Sequence, residues 1–372
     1  MHRFLGCGSL SGCLTVAAAW IALSAAAQAA DLNVVAAGLD NPRGLAFGAQ
    51  GALYVVEAGR GGNGACVIGG EGSEVCFGAS GAITRVKDGV QSRIVTGLPS
   101  LAAPNGAGAT GPTDIALRSK GRAYVVVGLG GNPTQLREEL GPEGSAMGQL
   151  LRVDLGSGRW RAIVDISGHE AAHNPAGGTV DSNPYALLPV GSGAVVADAG
   201  GNDLLRVRNK GGISTLATFA DRLADAPPFL GLPPGAQIPM QPVPTSVIQG
   251  PDGAYYVGEL TGFPFPQRAA RILRVQPGRE VEVFATGFTN IIDLAIGPDG
   301  QLYVLEISHK GLLSGDPTGA LLRLNPDGSR DAIVKKGLTM PGGLAFGPDG
   351  AAYVTNCSPC PAGAGQVLRS EF

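Results

Sequence analysis

Short apolar runs separated by tight turns recur along the chain. The first unit contains four such runs, at residues 42–47, 52–57, 81–86 and 92–98, rich in Val, Ile, Leu and Tyr. Aliphatic and aromatic residues at this density, with little polar alternation, favour strands that are covered on both faces. The unit therefore predicts a four-stranded antiparallel meander.

The unit recurs along the chain. Clear copies of its first two strands lie at residues 246–259, 293–306 and 343–356, and weaker copies lie at 114–127 and 185–198. The turns between these strands contain Gly51, Gly121, Gly193, Gly253, Gly300 and Gly350. The spacing approaches about 50 residues, which is the size of one four-stranded unit with its connections. A four-stranded sheet cannot bury both faces alone, whereas six in a ring can. We therefore predict an all-β, six-bladed β-propeller that forms a single domain over residues 31–372.

The two ends of the chain predict how the ring closes. The chain ends on a third strand of the unit, at residues 366–369, and begins on a fourth strand, at residues 32–39. We expect the N-terminal strand to complete the last blade.

Long insertions follow only the second and the fourth strands of each unit. Those after the second strand span residues 58–80, 128–148 and 307–318, and those after the fourth span 99–111, 167–182 and 220–243. In a meander these two connections emerge on the same side, which we call the looped face. A functional site is expected there, over the central channel.

The N-terminal residues 1–30 resemble a secretory signal, with His2 and Arg3 before an apolar stretch and a small-residue cleavage site near Ala29 and Ala30. We therefore predict a secreted or periplasmic protein. A lipobox-like stretch ending at Cys13 is the alternative. The net charge is −3, without a basic tract, and no later run of 18 apolar residues occurs. We expect a monomer that binds no nucleic acid and has no transmembrane segment.

Four cysteines follow the predicted cleavage site, namely Cys66, Cys76, Cys357 and Cys360. An even number in an exported chain indicates disulfides. Three pairings are open, of which local closure, Cys66–Cys76 and Cys357–Cys360, is the simplest. A four-cysteine zinc site is the alternative.

Carboxylates recur where the second strands reach the looped face. Alignment of the repeats places there Glu57, Val127, Asp198, Glu259, Glu306 and Asn356. We call the four acids and Asn356 the carboxylate ring. Ca²⁺ prefers several oxygen ligands, so such a ring is a candidate calcium site; no other cofactor is indicated. Alternatively, each acid caps backbone amides or pairs with an arginine such as Arg43 or Arg60.

Polar residues also open the first strands and face the same channel mouth: Arg43, Thr113, Asp114, Asn183, Thr245, Ser246 and Asp293. Asn183 and Asp293 are candidates for two further oxygen ligands of the ion. A separate match, His169-Glu170-Ala171-Ala172-His173, has the HExxH spacing of zinc proteases. Gly168 before it and Pro175 after it leave room for little helix, so a capped turn between blades is favoured.

The repeat resembles the six-bladed propellers of the NHL, SMP-30/gluconolactonase and strictosidine-synthase-like group. At finer grain the chain resembles the ScyD/ScyE family of exported propellers. This resemblance rests on residues 38–47, on the cysteine loop that ends at residues 76–81, and on residues 170–185, which include Asp181-Ser182-Asn183-Pro184-Tyr185. The resemblance implies the fold, and its family name implies a role in secondary-metabolite biosynthesis.

The resemblance also bears on chemistry. In gluconolactonase-like propellers a divalent ion at the channel mouth polarises a lactone carbonyl. That pattern has a Glu on the first strand of one blade, where this chain has Arg43. In strictosidine-synthase-like enzymes a glutamate lies over the channel, for which Glu259 and Glu306 are candidates by position.

Two functions follow from these features. The favoured hypothesis is a non-catalytic binding or scaffold protein that uses the looped face to bind a protein, a glycan or a small molecule. The alternative is a metal-assisted, lactonase-like or strictosidine-synthase-like enzyme that acts on a small molecule at the central channel.

Overall fold

The computed structural model describes residues 31–70, 72–209 and 211–372. The predicted signal at residues 1–30, with the alternative lipidation site Cys13, lies outside the described residues. The described chain forms six antiparallel sheets arranged as the blades of a propeller, which confirms the predicted fold class. Five sheets have four strands, and the first-blade sheet has a fifth.

The N-terminal strand β1 spans Leu32–Leu39, and blades 1 to 3 follow it in chain order. Blade 1 consists of β2 Pro42–Phe47, β3 Leu53–Glu57, β4 Cys66–Ile68, β5 Glu74–Lys87 and β6 Val90–Ala102. Blade 2 consists of β7 Pro112–Arg118, β8 Arg122–Val127, β9 Gln149–Asp154 and β10 Trp160–Asp165. Blade 3 consists of β11 Pro184–Val190, β12 Gly193–Asp198, β13 Asp203–Arg208 and β14 Ile213–Thr218.

A short hairpin separates the two halves of the ring, with strands β15 Arg222–Asp225 and β16 Gln237–Met240. Blade 4 consists of β17 Pro244–Gln249, β18 Tyr255–Glu259, β19 Ala270–Val275 and β20 Glu282–Phe288. Blade 5 consists of β21 Ile291–Ile296, β22 Leu302–Glu306, β23 Ala320–Leu324 and β24 Arg330–Val334. Blade 6 consists of β25 Gly343–Phe346, β26 Ala352–Asn356 and β27 Gly365–Ser370, together with β1.

The ring closes as predicted, because β1 pairs antiparallel with β27, from Leu32 opposite Ser370 to Leu39 opposite Gly365. The last blade is thus built from both ends of the chain. The apolar core lies between neighbouring blades: Val56 and Ile83 of blade 1, for example, belong to one buried cluster with Val125 and Leu151 of blade 2. This packing on both faces accounts for the apolar strands in the sequence.

The insertions on the looped face contain the two α-helices of the described residues, α1 Pro133–Leu140 and α2 Ile166–His173. Short 3₁₀ turns lie at Ala49–Gly51, Pro142–Ala146, Pro228–Leu230 and Leu312–Ser314. No helix among the described residues is long and apolar enough to cross a membrane.

Two disulfides form locally, Cys66–Cys76 and Cys357–Cys360, which confirms the simplest predicted pairing. The four-cysteine zinc site was therefore a wrong alternative, because every one of its sulfurs is used in a covalent bond. Among the described residues, Cys66, Glu74 and Cys76 form the only set of three ligand atoms within 4.8 Å of one another. Since two of these atoms are the sulfurs of one disulfide, this set does not indicate a metal site.

Blades 4, 5 and 6 have Pro-Asp-Gly turns between their first and second strands, with φ of 81° at Gly253 and 75° at Gly300, values that favour glycine. The sequence did not reveal a tyrosine contact that accompanies each of these three turns. The Tyr256 hydroxyl donates to Asp252 at 3.2 Å, and the tyrosines of blades 5 and 6 repeat the contact with Asp299 and Asp349. The aspartate thus ties the turn to the second strand.

Candidate functional site

A cavity of about 830 Å³ lies at the channel mouth on the looped face. Its polar lining includes Arg43, Thr113, Asn183, Tyr185 and Thr245. Its apolar lining includes Val243, Leu260, Phe263, Phe265, Ile292, Ile307, Leu312 and Met340. The polar group comes from the starts of the innermost strands, whereas the two phenylalanines come from the loop between β18 and β19. A cavity of this size, mostly apolar with a few polar groups, has the character of a small-molecule site.

Arg43 lies at the start of β2, the innermost strand of blade 1. Its Nη2 donates to the carbonyl oxygen of Ala109 at 2.9 Å, which fixes the guanidinium at the cavity wall. Its Nε is buried and has no hydrogen-bond partner within the described chain. Arginine also remains charged at any ordinary pH. Arg43 therefore places a positive charge, with one unpartnered N–H, at the wall of the cavity.

Two further polar atoms of the cavity lining are buried and lack partners among the described residues, Oδ1 of Asn183 and the hydroxyl of Tyr185. Burial raises the pKa of Tyr185, so its hydroxyl stays protonated at neutral pH; the nearby positive charge of Arg43 opposes this shift. Buried polar atoms are normally hydrogen-bonded, so unpartnered ones indicate a water or ligand position. Together with Arg43 Nε, the residues of the cavity wall contain two donors and one acceptor without partners among the described residues.

The cavity threonines connect neighbouring blades. Thr113 Oγ1 donates to the carbonyl oxygen of Pro184 at 3.1 Å, and Thr245 Oγ1 donates to that of Ile291 at 2.7 Å. Their hydroxyl hydrogens are therefore used inside the protein, and both side chains hold the cavity wall in place.

Asp114 and Asp293 lie on the innermost strands of blades 2 and 5, directly after the cavity residues Thr113 and Ile292. Each carboxylate accepts the N–H of its own next residue and an N–H of the following blade, from Leu187 at 2.8 Å and from Leu344 at 2.7 Å. Burial raises the pKa of Asp114 to about 7. Burial, with a smaller contribution from the charge of Asp114, raises the pKa of Asp293 to about 8.

The carboxylate ring binds donors of the protein itself. Glu57 is fully buried and accepts from Thr84 at 2.6 Å, from the backbone N–H of Asp40 at 2.7 Å, and from Arg93 at 2.6 and 2.9 Å. The acid therefore caps the loop that enters blade 1 and pairs with an arginine. Its partner is Arg93, and neither Arg43 nor Arg60, which the sequence had suggested; Arg60 pairs with Asp40 at 3.3 Å.

The other members repeat this arrangement. Glu306 accepts the backbone N–H of Thr289 at 2.7 Å and contacts His309, and this contact raises the pKa of the His309 ring. Asn356 accepts the N–H of Thr339 at 2.6 Å. Glu259 pairs with Arg271 at 2.6 Å and with Arg222 at 3.1 Å. Asp198 accepts the N–H of Asn183 at 2.6 Å. Each ring carboxylate accordingly has partners close to its own blade.

The structure therefore divides the predicted site residues into three groups. Arg43, Thr113, Asn183 and Thr245 come together in the cavity. Asp114 and Asp293 join successive inner strands. Glu57, Asp198, Glu259, Glu306 and Asn356 cap the loops behind them or pair with nearby cations. Metal binding by this last set stays a prediction.

Sequence reasoning missed Tyr185, Phe263 and Phe265 as parts of the site. Tyr185 belongs to the Asp-Ser-Asn-Pro-Tyr stretch, which supported the family resemblance, but its position in the cavity was not predicted. Phe263 and Phe265 lie in an insertion that follows a second strand, and their rings are 6.3 Å apart in an edge-to-face arrangement. Their apolar character in an insertion on the looped face is the sequence feature that could have indicated a place in the site.

The HExxH stretch forms most of α2, which is capped by Asp165 at its start and ends in a left-handed Asn174. The rings of His169 and His173 stack with their centres 4.4 Å apart. Glu170 is buried in blade 3 beside Asp198. The stretch is thus an eight-residue capped helix between two blades, and not the capped turn that the flanking residues favoured.

Comparison with solved structures finds the same architecture in proteins of low sequence identity. Regucalcin, a calcium-binding protein of Agrobacterium tumefaciens, is 14% identical, with 91% of this chain and 92% of that chain covered and a TM-score of 0.53. A protein assigned to the gluconolactonases is 13% identical, with 92% of each chain covered and a TM-score of 0.51. A glucose dehydrogenase is 13% identical, with 92% of this chain and 99% of that chain covered and a TM-score of 0.51.

These likenesses show the fold alone, a six-bladed β-propeller. No protein-family model and no curated protein matches the sequence. The resemblance to the ScyD/ScyE family therefore rests on the quoted motifs alone.

Proposed function

We propose that this protein is an exported binding propeller that holds a small amphipathic molecule in the cavity at its channel mouth. The observation that carries the proposal is the cavity itself, with unpartnered buried polar atoms at one part of its lining and aromatic and aliphatic side chains at another. Two local disulfides agree with an oxidising compartment.

The polar lining suggests what the occupant carries. Arg43 Nε and the Tyr185 hydroxyl are donors, so they suit a carboxylate or a carbonyl oxygen. Asn183 Oδ1 is an acceptor and suits a hydroxyl or an N–H group. The occupant would therefore present an anionic or carbonyl oxygen to blades 1 and 3, with a donor group close to it.

The apolar lining suggests the body of the occupant. Phe263 and Phe265 offer edge-to-face or stacking contact to an aromatic ring, and Leu260, Ile292 and Leu312 offer aliphatic contact. An aromatic carboxylate combines both requirements. This class also fits the small-molecule metabolism that the ScyD/ScyE resemblance suggests.

The proposal can be tested with aromatic carboxylates of increasing size, each compared with its neutral amide, by titration calorimetry. We expect a carboxylate to bind more tightly than its amide, and R43Q to reduce that preference at least about 10-fold, as expected for the loss of a charged hydrogen bond. R159Q serves as the control, because Arg159 is exposed at the β9–β10 turn on the opposite face. Equal binding to the wild type and R43Q, or no binding of any probe, would contradict the proposal.

A second candidate function is a lactonase-like hydrolase, favoured by the two channel carboxyls Asp114 and Asp293. Their pKa values of about 7 and about 8 suit proton transfer near neutral pH. A divalent ion at the carboxylate ring, with Asn183 and Asp293 as added ligands, belongs to this candidate. Hydrolysis of a lactone panel, lost in D293N and accompanied by bound metal, would favour it over simple binding.

A further inference from the structure

Blade 3 gathers four carboxylates around the Gly200–Gly201 turn. Asp198 ends β12, Asp203 begins β13, Glu170 lies on α2 and Asp181 precedes β11. A Cβ atom at Gly200 would lie 2.7 Å from Asp181 Oδ1. At Gly201 it would lie 3.2 Å from Glu170 Oε2 and 3.3 Å from Asp198 Cγ. The two glycines thus leave room for carboxylates from both sides of the turn.

Several oxygens of this acidic cluster lack donors. Asp203 is 1% exposed, and neither of its carboxylate oxygens has a hydrogen-bond partner among the described residues. Glu170 is 2% exposed, and its Oε1 also has no hydrogen-bond partner among the described residues. The same holds for Oδ1 of Asp181. A buried carboxylate without a donor or a cation is strongly unfavourable in its ionised form.

Other blades supply a cation from the chain at the corresponding place. Glu57 has Arg93, Glu259 has Arg222 and Arg271, and Glu306 has His309. Within the described chain, no Lys, Arg or His forms an ion pair with Glu170, Asp181, Asp198 or Asp203. Blade 3 therefore gathers four carboxyl groups at this level without a paired cation from the described chain.

We propose that the acidic cluster of blade 3 binds a calcium ion, with Glu170, Asp181, Asp198 and Asp203 as its carboxylate ligands. Ca²⁺ accepts 6–8 oxygen ligands in flexible geometry, which suits carboxylates from one helix, one loop and two strand ends. Mg²⁺ requires a stricter octahedron and suits such a set less well. This site differs from the carboxylate ring, with which it shares only Asp198, and goes beyond the proposed binding function.

The described carboxylates do not yet surround one point, since no three of these residues bring one oxygen each within 4.8 Å of one another. The ion would draw them together, chiefly through the Glu170 side chain on the eight-residue helix α2. Bound calcium would thereby connect α2 and the β12–β13 turn, and so stabilise the insertion that leads to Asn183 and Tyr185 of the cavity.

The site can be tested by calcium content, measured by mass spectrometry after dialysis, and by thermal melting in EDTA and in 1 mM CaCl₂. We expect one calcium ion per chain and a Tm about 5 °C higher with calcium than with EDTA. D203N should lose both the ion and the calcium-dependent shift. In EDTA, D203N should melt no lower than the wild type, because it removes a buried acid that has neither a donor nor a cation among the described residues. A variant that loses the calcium shift but melts normally in EDTA has lost a ligand, whereas one that melts lower in both conditions is damaged in general.

Two further variants make the result specific. D88N removes an exposed acid from the turn between β5 and β6 and should keep the full calcium shift. D293N removes the channel acid that is the candidate added ligand beside the carboxylate ring, and it should keep the full calcium shift as well. A calcium shift that survives in D203N, or that disappears in D293N, would overturn the blade 3 site, as would a wild type that holds no calcium and shows no shift. None of these results bears on R43Q, so the cavity proposal stands or falls separately.

Discussion

The carboxylate of Asp293 accepts the backbone N–H of Leu344, 51 residues later and on the innermost strand of the next blade, at 2.7 Å. Asp114 makes the same contact with Leu187, 73 residues later, at 2.8 Å. The two contacts join blade 5 to blade 6 and blade 2 to blade 3. Side chains thus connect sheets that share no strand-to-strand ladder, close to the axis of the ring.

Replacement of Asp293 by Asn should destabilise the fold. The N–H of Leu294 binds one carboxylate oxygen and the N–H of Leu344 binds the other, so in D293N an NH₂ group takes the place of one acceptor and faces an N–H donor. We expect the free energy of unfolding to fall by about 1–3 kcal/mol, the cost of a buried unsatisfied group. Urea denaturation followed by circular dichroism measures this, with D88N as the neutral control.

The same variant should change the pH dependence of stability. The pKa of Asp293 is raised from its ordinary value of 3.8 to about 8 in the folded chain. Between these values the folded state holds a proton that the unfolded state has released, so this residue stabilises the fold at low pH, and the contribution declines as pH rises to about 8. The stability gap between wild type and D293N should therefore narrow from pH 5 to pH 8.5. A gap that stays constant would contradict the raised pKa.

Removal of the Arg93 side chain should expose the cost of the buried acid Glu57. In R93M the carboxylate keeps Thr84 and the Asp40 N–H but loses its cation. We expect a loss of about 2–4 kcal/mol, below the full range for a buried pair because the Arg93 side chain is 37% exposed. In E57Q/R93M the stability should recover in part, since the unpaired charge is gone. R159M, at an exposed site, should change the free energy of unfolding by less than about 0.5 kcal/mol.

The sequence predicted most of the fold because the information is local and repeated. Turns such as the one at Gly300 and strands such as β22 can be identified from neighbouring residues. The closure by β1 followed from counting strands in the first and last units. Contacts between blades were not predictable, because Asp293 and Leu344 are distant in sequence and a backbone N–H leaves no residue signature.

The candidate site was predicted in part for the same reason. Strand positions placed Arg43, Thr113 and Thr245 at the channel mouth, because strand alternation fixes which way a side chain faces. The ion pair of Glu57 with Arg93 was not predictable, because the sequence does not indicate in which direction the Arg93 side chain extends from the fourth strand. The phenylalanines of the cavity lie in an insertion without a repeat, so their path over the channel was not predictable.

The two disulfides should differ in their effect on stability. Cys66 and Cys76 are 10 residues apart, and Cys357 and Cys360 only three. Since the effect of a cross-link grows with the loop it closes, C66S/C76S should lower the free energy of unfolding by about 2–3 kcal/mol and C357S/C360S by less. Urea denaturation of both variants measures the order. Addition of a reductant to C66S/C76S breaks the remaining Cys357–Cys360 bond, so it should lower the free energy of unfolding only by the amount lost in C357S/C360S. A larger loss in C357S/C360S than in C66S/C76S would show that loop closure is not the dominant effect.

The strand that closes the ring offers a matched pair of substitutions at neighbouring residues. Ala36 on β1 is 4% exposed and belongs to the buried cluster with Leu39 and Val367, whereas Ala37 is exposed. A36D would bury a charge without a partner where the first and last strands meet, so we expect the free energy of unfolding to fall by about 3 kcal/mol or more. A37D should change it by less than about 0.5 kcal/mol, because its carboxylate reaches water. Thermal melting and limited proteolysis near the N-terminus distinguish the two. Equal melting temperatures for A36D and A37D would mean that β1 does not hold the ring closed in the register described, and that the last blade is stable without it.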